Sequence, residues 1–259
     1  VKRIESQYEA LLNKTVAKTG VDLVVNDPET GKRIIRKQES NLGDLCADAY
    51  RELLDADIAF VNGGGIRATI SKGSITYGEI ISVHPFGNMA CSIEVTGQQI
   101  LDALELGSMF TPDAESGGFL QVSGLTYEIH TYIPSSVTLD ANKSFVGVTG
   151  ARRVKNVMVG GEPIDVNKTY LLASHNYMLK DGGDGYTMFK GAKVVRDGVM
   201  IDNQVLINYI KDALNGTVGS EYENPYGQGR IKLVAEAPAN QPGNPASSSS
   251  HSGSGISVG

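Results

Sequence analysis

The tightest constraint in this sequence is a glycine tract. Asn62-Gly63-Gly64-Gly65-Ile66-Arg67-Ala68 follows directly on the short apolar run DIAFV at 57–61. Glycine costs roughly 0.5–1 kcal/mol relative to alanine inside a helix or strand, so three in a row end the strand. They free the backbone to turn tightly and lie close to a ligand. Formally the tract satisfies the dinucleotide fingerprint G-x-G-x-x-A, but that motif needs a helix to open right behind it, with its amides facing a pyrophosphate. The following text, TISKGSITYGE, is β-branched and broken by glycine, a poor helix start, and no clear strand-ending acid stands about 20 residues on. A Walker P-loop is excluded too, since no Gly-Lys-Ser/Thr follows. Two readings stay open: a plain strand-to-strand loop with a surface arginine, or a ligand loop. In the second, Asn62 offers an amide and Arg67 a planar fork suited to phosphate.

Around the tract, helical and strand patterns mix. Residues 4–18 read as a helix with Tyr8, Leu11, Leu12 and Thr15 on one side. Residues 41–54 read as a stronger one, with Leu42, Leu45, Ala49 and Leu53 near the 3.6 period and Ser40 or Asn41 as cap. A strand over 89–95 leads into a helix over 97–106, capped by Thr96 and stopped by Gly107. Three strand texts follow, LQVSGLTYEI, RVKNVMV and TYLLASHNYM, with VGGEPI as a hairpin turn between the last two. A final helix spans about 202–214. The spacing is not strictly βαβ, so the expected class is α+β: a layered domain of mixed β-sheets with packing helices.

Length and charge narrow the function. The 259 residues are enough for a sizeable core, and the net charge of −6 argues against a generic nucleic-acid coat, which carries a basic surplus. An anionic ligand must therefore be held by a few local arginines. No run of about 18 apolar residues offers a membrane span. Cys46 and Cys91 stand in no metal or redox spacing and read as buried thiols, and His84, His130, His175 and His251 are scattered. Ser174 beside His175 does not make a catalytic dyad, because neighbours in a strand point to opposite faces. The opening VKRIESQYEALLNK is a charged helical pattern rather than a leader, so the chain is expected to be a piece of something longer. We expect a linker helix over 1–20, the folded domain over 21–234, and a disordered Pro/Ser/Gly-rich linker over 235–259.

Two further loops carry chemistry. His84-Pro85-Phe86-Gly87-Asn88 puts an aromatic ring where the chain must turn. HNYMLKDGGDGY, at 175–186, leaves a strand with an aromatic, three glycines and two acids. Each has a plain reading as well, a core anchor for the first and a long turn with self-capping aspartates for the second. Together NGGGIRA, HPFGN and HNYMLKDGGDGY resemble the motifs of the 5'-nucleotidase C-terminal domain family, and ESNLGDLCADA at 39–49 is similar to that family's first helix. The resemblance runs in the family's order over about 34–229.

It implies a substrate-binding role. Phe86 and Tyr177 are implied to sandwich the nucleobase, in stacking of about 1–3 kcal/mol per base. Arg36 and Arg67 are implied to reach ribose and phosphate, and Asn62 and Asn88 to lie near the base. Asp184 is implied to accept from the sugar hydroxyls. Gly64 and Gly65 bring the backbone close, and Gly118 is implied to line the pocket. In this family hydrolysis belongs to an N-terminal metallophosphatase domain that binds two divalent metal ions. Its Asp-x-His, Gly-Asn-His-Glu and Gly-His-x-His clusters do not occur here, so the expectation is a substrate-specificity domain that is inactive in isolation and needs no cofactor of its own. The expected partners are a nucleotide or nucleoside and that phosphatase domain, in an extracellular, wall-associated or periplasmic setting. The rival reading is a non-catalytic nucleotide-binding or cell-surface module. Nucleoside monophosphates, UDP-sugars and cyclic 2',3'-phosphates remain open as substrates.

Overall fold

The computed structural model describes residues 2–237. The chain runs α1 (Lys2–Leu12), β1 (Thr15–Thr19), α2 (Asn41–Leu54), β2 (Ile58–Asn62), β3 (Gly73–Thr76), α3 (Tyr77–Val83), β4 (Ala90–Thr96) and α4 (Gly97–Ser108). Then come β5 (Leu120–Ser123), β6 (Leu125–His130), β7 (Val137–Leu139), β8 (Phe145–Val148), β9 (Val154–Val159) and β10 (Glu162–Pro163). The chain closes with β11 (Thr169–His175), α5 (Asn176–Leu179), β12 (Lys193–Arg196), α6 (Asp202–Asn208), β13 (Thr217–Val218) and β14 (Ile231–Val234). This is the expected α+β class with mixed sheets.

The central sheet has the order β12-β4-β11-β2-β5, in which β11 and β2 are parallel and the other pairs antiparallel. Its strands alternate between two cores. Ala59 and Val61 of β2 pack with Leu42, Leu45 and Cys46 of α2 and with Val205 and Leu206 of α6. Ile58 and Phe60 face the other way, onto Ile100 and Leu104 of α4 and Leu125, Ile129 and Val157 of the second sheet. That second sheet has the order β10-β9-β6-β14. Covering both faces of the central sheet is why all five residues of β2 are buried.

Local signals set the helices well. Ser40 caps α2, accepting from the Gly43 amide, and Thr96 with Gln99 forms a capping box at α4. Several expectations need correction. The helix over 4–18 ends at Leu12, and Thr15–Thr19 is instead a strand between β13 and β3, so the fold begins before residue 21. Ala17 is buried there, and pairing two edges outweighs one more helical turn. Gly107 does not stop α4, which runs to Ser108. LQVSGLTYEI is two strands broken at Gly124, whose φ is +81°. Gly160 and Gly161, both at positive φ, do turn a hairpin, but it joins β9 to β10; RVKNVMV and TYLLASHNYM lie in different sheets. No α-helix opens directly behind the glycine tract, as expected, but the same text does start one further on: α3 opens at Tyr77, after β3, with a Thr76/Glu79 capping box. The final helix is α-helical to Asn208, then widens and continues as a π-turn over Tyr209–Ala213. Of the expected disordered linker, residues 238–259, and with them His251, lie outside the described residues.

Candidate binding site

Topology gathers the motif loops at one edge of the central sheet. β2 and β11 are parallel neighbours, so NGGGIR and HNYM leave the sheet side by side at their carboxyl ends, where open α/β sheets commonly form clefts. β4 and β5 run antiparallel to them, so the loops that precede them, HPFGN and the Gly117–Gly118 segment, enter at that same edge. A cavity of about 380 Å³ lies between these loops, lined by Arg36, Asn62, Gly64, Gly65, Arg67, Phe86, Asn88, Gly117, Tyr177 and Asp184.

Nine of the ten residues singled out from sequence thus meet around one cavity. The exception is Gly118, which is buried: its carbonyl accepts from the Tyr186 hydroxyl and its amide donates to Ser116 Oγ. Its neighbour Gly117 takes the place at the wall. The glycine tract also acts otherwise than expected, for none of Gly63, Gly64 and Gly65 has positive φ. They permit close backbone packing instead. A Cβ on Gly63 would overlap the Ile35 carbonyl, and one on Gly64 would press on the Gly117 backbone at 3.0 Å. Their amides bond to Phe119 (2.7 Å) and Gly117 (2.8 Å), which zips the tract to the segment before β5.

Asn62 and Asp184, 122 residues apart in sequence, are the hub. The Asn62 Nδ2 donates to Asp184 Oδ2 at 2.7 Å, while its Oδ1 accepts from His175 Nε2 at 3.0 Å. The Tyr177 hydroxyl donates to Asp184 Oδ1 at 3.0 Å. Burial, with His84 nearby, pushes the His175 pKa down to about 3, so the imidazole is neutral with its proton on Nε2. Asn62, only 4% exposed, has its carbonyl and one amide hydrogen taken by this network, which makes it more a positioning residue than the free ligand donor expected. Asp184 itself sits at φ 55°, in the GGDG turn. The Tyr177 ring lies against Gly183, where any Cβ would collide with it. Sequence reading missed this role of His175 and likewise that of His84, whose buried Nδ1 donates to the Gly65 carbonyl at 3.1 Å. Burial lowers the His84 pKa and raises that of Asp202. Asp202 in turn clasps Asn88 through both backbone groups (2.9 and 2.8 Å) and so fixes the HPFGN loop.

The other wall is cationic and aromatic. Phe86 is 59% exposed, and the Arg67 guanidinium lies 5.8 Å from its ring centroid. Among the described residues neither Arg36 nor Arg67 has a carboxylate within salt-bridge distance. Desolvation, then Arg33 and Arg67, lowers the Arg36 pKa. Arg33, Arg36 and Arg67 also line an adjoining cavity of about 160 Å³. The arrangement therefore offers ring faces, a carboxylate and two guanidinium groups without a partner acid. Asp184 accepts one hydrogen bond at each oxygen and His175 Nε2 donates; among the described residues no three His, Cys, Asp or Glu side chains are grouped to hold a cation.

The family described as 5'-nucleotidase, C-terminal domain, matches residues 16–191. The trifunctional nucleotide phosphoesterase protein YfkN of Bacillus subtilis is 34% identical over 243 residues, covering 90% of this chain and 15% of that protein. The cell wall protein Lmo0130 of Listeria monocytogenes is 30% identical over 226 residues, covering 80% and 26%. The crystal structure of a 5'-nucleotidase precursor from Thermus thermophilus superposes with a TM-score of 0.73 at 31% identity, covering 91% of this chain and 42% of that one. The chain spans less than half the length of each.

Proposed function

The chain belongs to the 5'-nucleotidase C-terminal domain family, and from that premise we propose that it is the nucleotide-binding part of a phosphoric ester hydrolase. The base stacks between Phe86 and Tyr177, the ribose hydroxyls lie at Asp184, and the phosphate end lies toward Arg36 and Arg67. The observation that carries this reading is the pair of guanidinium groups without an acid partner, set beside an exposed Phe86 on one cavity. An anion would relieve their mutual repulsion and accept planar, charge-assisted hydrogen bonds. Hydrolysis and its two divalent metal ions belong, in this proposal, to a metallophosphatase domain of the same polypeptide, a division supported by the family of C-terminal domains that the chain matches. The domain acts outside the cytoplasm, an inference supported by a relative named as a cell wall protein.

Titration calorimetry tests the site. AMP is expected to bind more tightly than adenosine. Phe86→Ala and Tyr177→Ala are each expected to weaken both ligands by about 1–3 kcal/mol. Equal affinities for wild type and the double alanine variant would overturn the stacking arrangement. The chain alone is expected not to turn over AMP with added Mn²⁺, Zn²⁺ or Co²⁺, and metal-dependent turnover by stringently purified protein would overturn the division of labour.

A further inference from the structure

The nucleotide cavity shares two of its wall residues, Gly117 and Asp184, with a second and larger cavity of about 530 Å³. The two differ in chemistry. The first is lined by arginines, whereas the second has Leu106, Met109 and Leu139 among its lining, with Phe110, Asn142 and Lys143. Phe110 is 47% exposed yet firmly mounted. The buried Arg153 guanidinium gathers the carbonyls of Ser108 (3.0 Å) and Thr111 (2.7 Å) on either side of it, and Thr111 Oγ1 donates to the Lys37 carbonyl (2.6 Å), next to Arg36. Lys143 stands at the tip of the β7–β8 hairpin with a φ of 62°. Among the described residues it has no carboxylate within salt-bridge distance. The hairpin tip rests on the turn that carries Asp184: the Lys143 carbonyl occupies the space a Cβ on Gly185 would need, and Thr187 Oγ1 donates to the Phe145 carbonyl at 2.7 Å.

We propose that this second cavity is a subsite for a nucleotide unit joined to the bound nucleotide through a ribose hydroxyl, so that the site accepts dinucleotides as well as mononucleotides. The inference rests on the reading above that the ribose hydroxyls lie at Asp184. A substituent on either hydroxyl then leaves the first cavity at the wall the two cavities share. Gly117 keeps that wall low, because it has no side chain, and its ideal Cβ would stand 3.9 Å from Asp184 Oδ1 and 3.9 Å from Gly64 Cα. Beyond the wall, Lys143 meets the bridging phosphate as a point charge, and the exposed Phe110 ring stacks the second base. Stacking of this kind tolerates any base, so the subsite selects for length rather than sequence.

The test is calorimetric titration of the chain with AMP, adenosine 3',5'-bisphosphate, and the 3'–5' and 2'–5' isomers of the adenylyl dinucleotide with a 5'-phosphate. One dinucleotide isomer is expected to bind at least about tenfold more tightly than AMP, a gain within the range of a single base stack. Phe110→Ala is expected to cut that gain to about twofold or less. Lys143→Gln is expected to reduce the gains of the dinucleotide and the bisphosphate together. Both side chains are exposed and outside the first cavity, so AMP affinity is expected to be unchanged in each variant. Dinucleotides that bind no better than AMP would overturn the second subsite alone, as would a gain that survives Phe110→Ala. Failure of AMP and dinucleotides alike to bind would overturn the underlying nucleotide reading and the subsite with it.

Discussion

Arg67 shows how a single side chain separates binding from folding. It is exposed, lies over the Phe86 ring, and reaches only the Gly64 carbonyl at a long 3.4 Å. A structural arginine tied to a buried carboxylate would cost roughly 3–5 kcal/mol to remove; Arg67 has no such tie. Arg67→Gln is therefore expected to keep the ligand-free melting temperature within the small shifts of a surface substitution, about ±0.5 kcal/mol in stability. The extra stabilisation of wild type by phosphate or AMP over that by adenosine is expected to vanish in the variant and to weaken with salt in wild type. Thermal melts with and without each ligand check it; a collapse of the ligand-free melting temperature would make Arg67 a folding residue. Asn62 is the opposite case. Its carboxamide links His175 to Asp184, so it orients the site by holding a carboxylate still.

At the scale of elements, the site depends on how closely loops approach. β2 ends in three glycines because the chain there runs against the backbone of Ile35 and of Gly117. Gly63→Ala is expected to destabilise the fold by about 3 kcal/mol, at the upper end of the usual overpacking range, because the obstacle is a carbonyl oxygen and not a flexible side chain. Urea unfolding measures this directly. A loss below about 1 kcal/mol would mean that the tract has room to shift and that glycine serves some other purpose there. α3 makes a related point. Its Thr76-x-x-Glu79 capping box went unread in the sequence, because the β-branched, glycine-broken stretch before it reads as a poor helix start.

For the whole molecule, closure involves a buried charge cluster whose residues do not line the nucleotide cavity. Asp44 and Asp48 meet Arg230, whose guanidinium grips Asp48 at 2.8 Å and stands 3.6 Å from Asp44, and Glu39 lies beside Asp44. The Glu39 carboxylate accepts from the Gln228 and Ile231 amides (2.6 and 2.8 Å), which fastens β14 to the start of α2. Burial drives the Asp44 pKa up to about 9; Arg230 opposes the shift and Glu39 adds to it. Asp44 is thus a neutral acid in the folded protein at pH 7, whereas it ionises near pH 4 once unfolded. Its stabilising contribution is complete below about pH 4 and declines as pH rises toward about 9, by at most about 1.4 kcal/mol per pH unit. His175, with its pKa lowered to about 3, acts in the reverse sense, and its contribution declines as pH falls below about 6.5. Asp44→Asn, which mimics the neutral acid, is expected to gain stability relative to wild type as pH rises from 6 to 8.5. A difference that is flat with pH would mean that Asp44 is ionised in the fold.

What the sequence determined by itself was local. The apolar run had to end at Gly63, and Thr96, with Ser40 or Asn41, stood where a helix needs a cap, because each of these depends on a few neighbouring residues; the rings, Arg67 and acid of three loops were recognisable as a set by their resemblance to the family's motifs. What the tertiary structure decided was which distant segments meet. The parallel pairing of β2 with β11 puts Asn62 beside His175, 113 residues away, and so converts an amide that reads as a ligand donor into a strut for Asp184. The closed fold also seats Gly117, not Gly118, at the wall of the nucleotide cavity, and the pairing of β1 with β13 and β3 makes Thr15–Thr19 a strand where the text reads as helix. Periodicity and capping act over a turn or two of chain. Sheet edges, buried charge clusters and the wall between two cavities are properties of pairs that only the closed fold brings within hydrogen-bond reach.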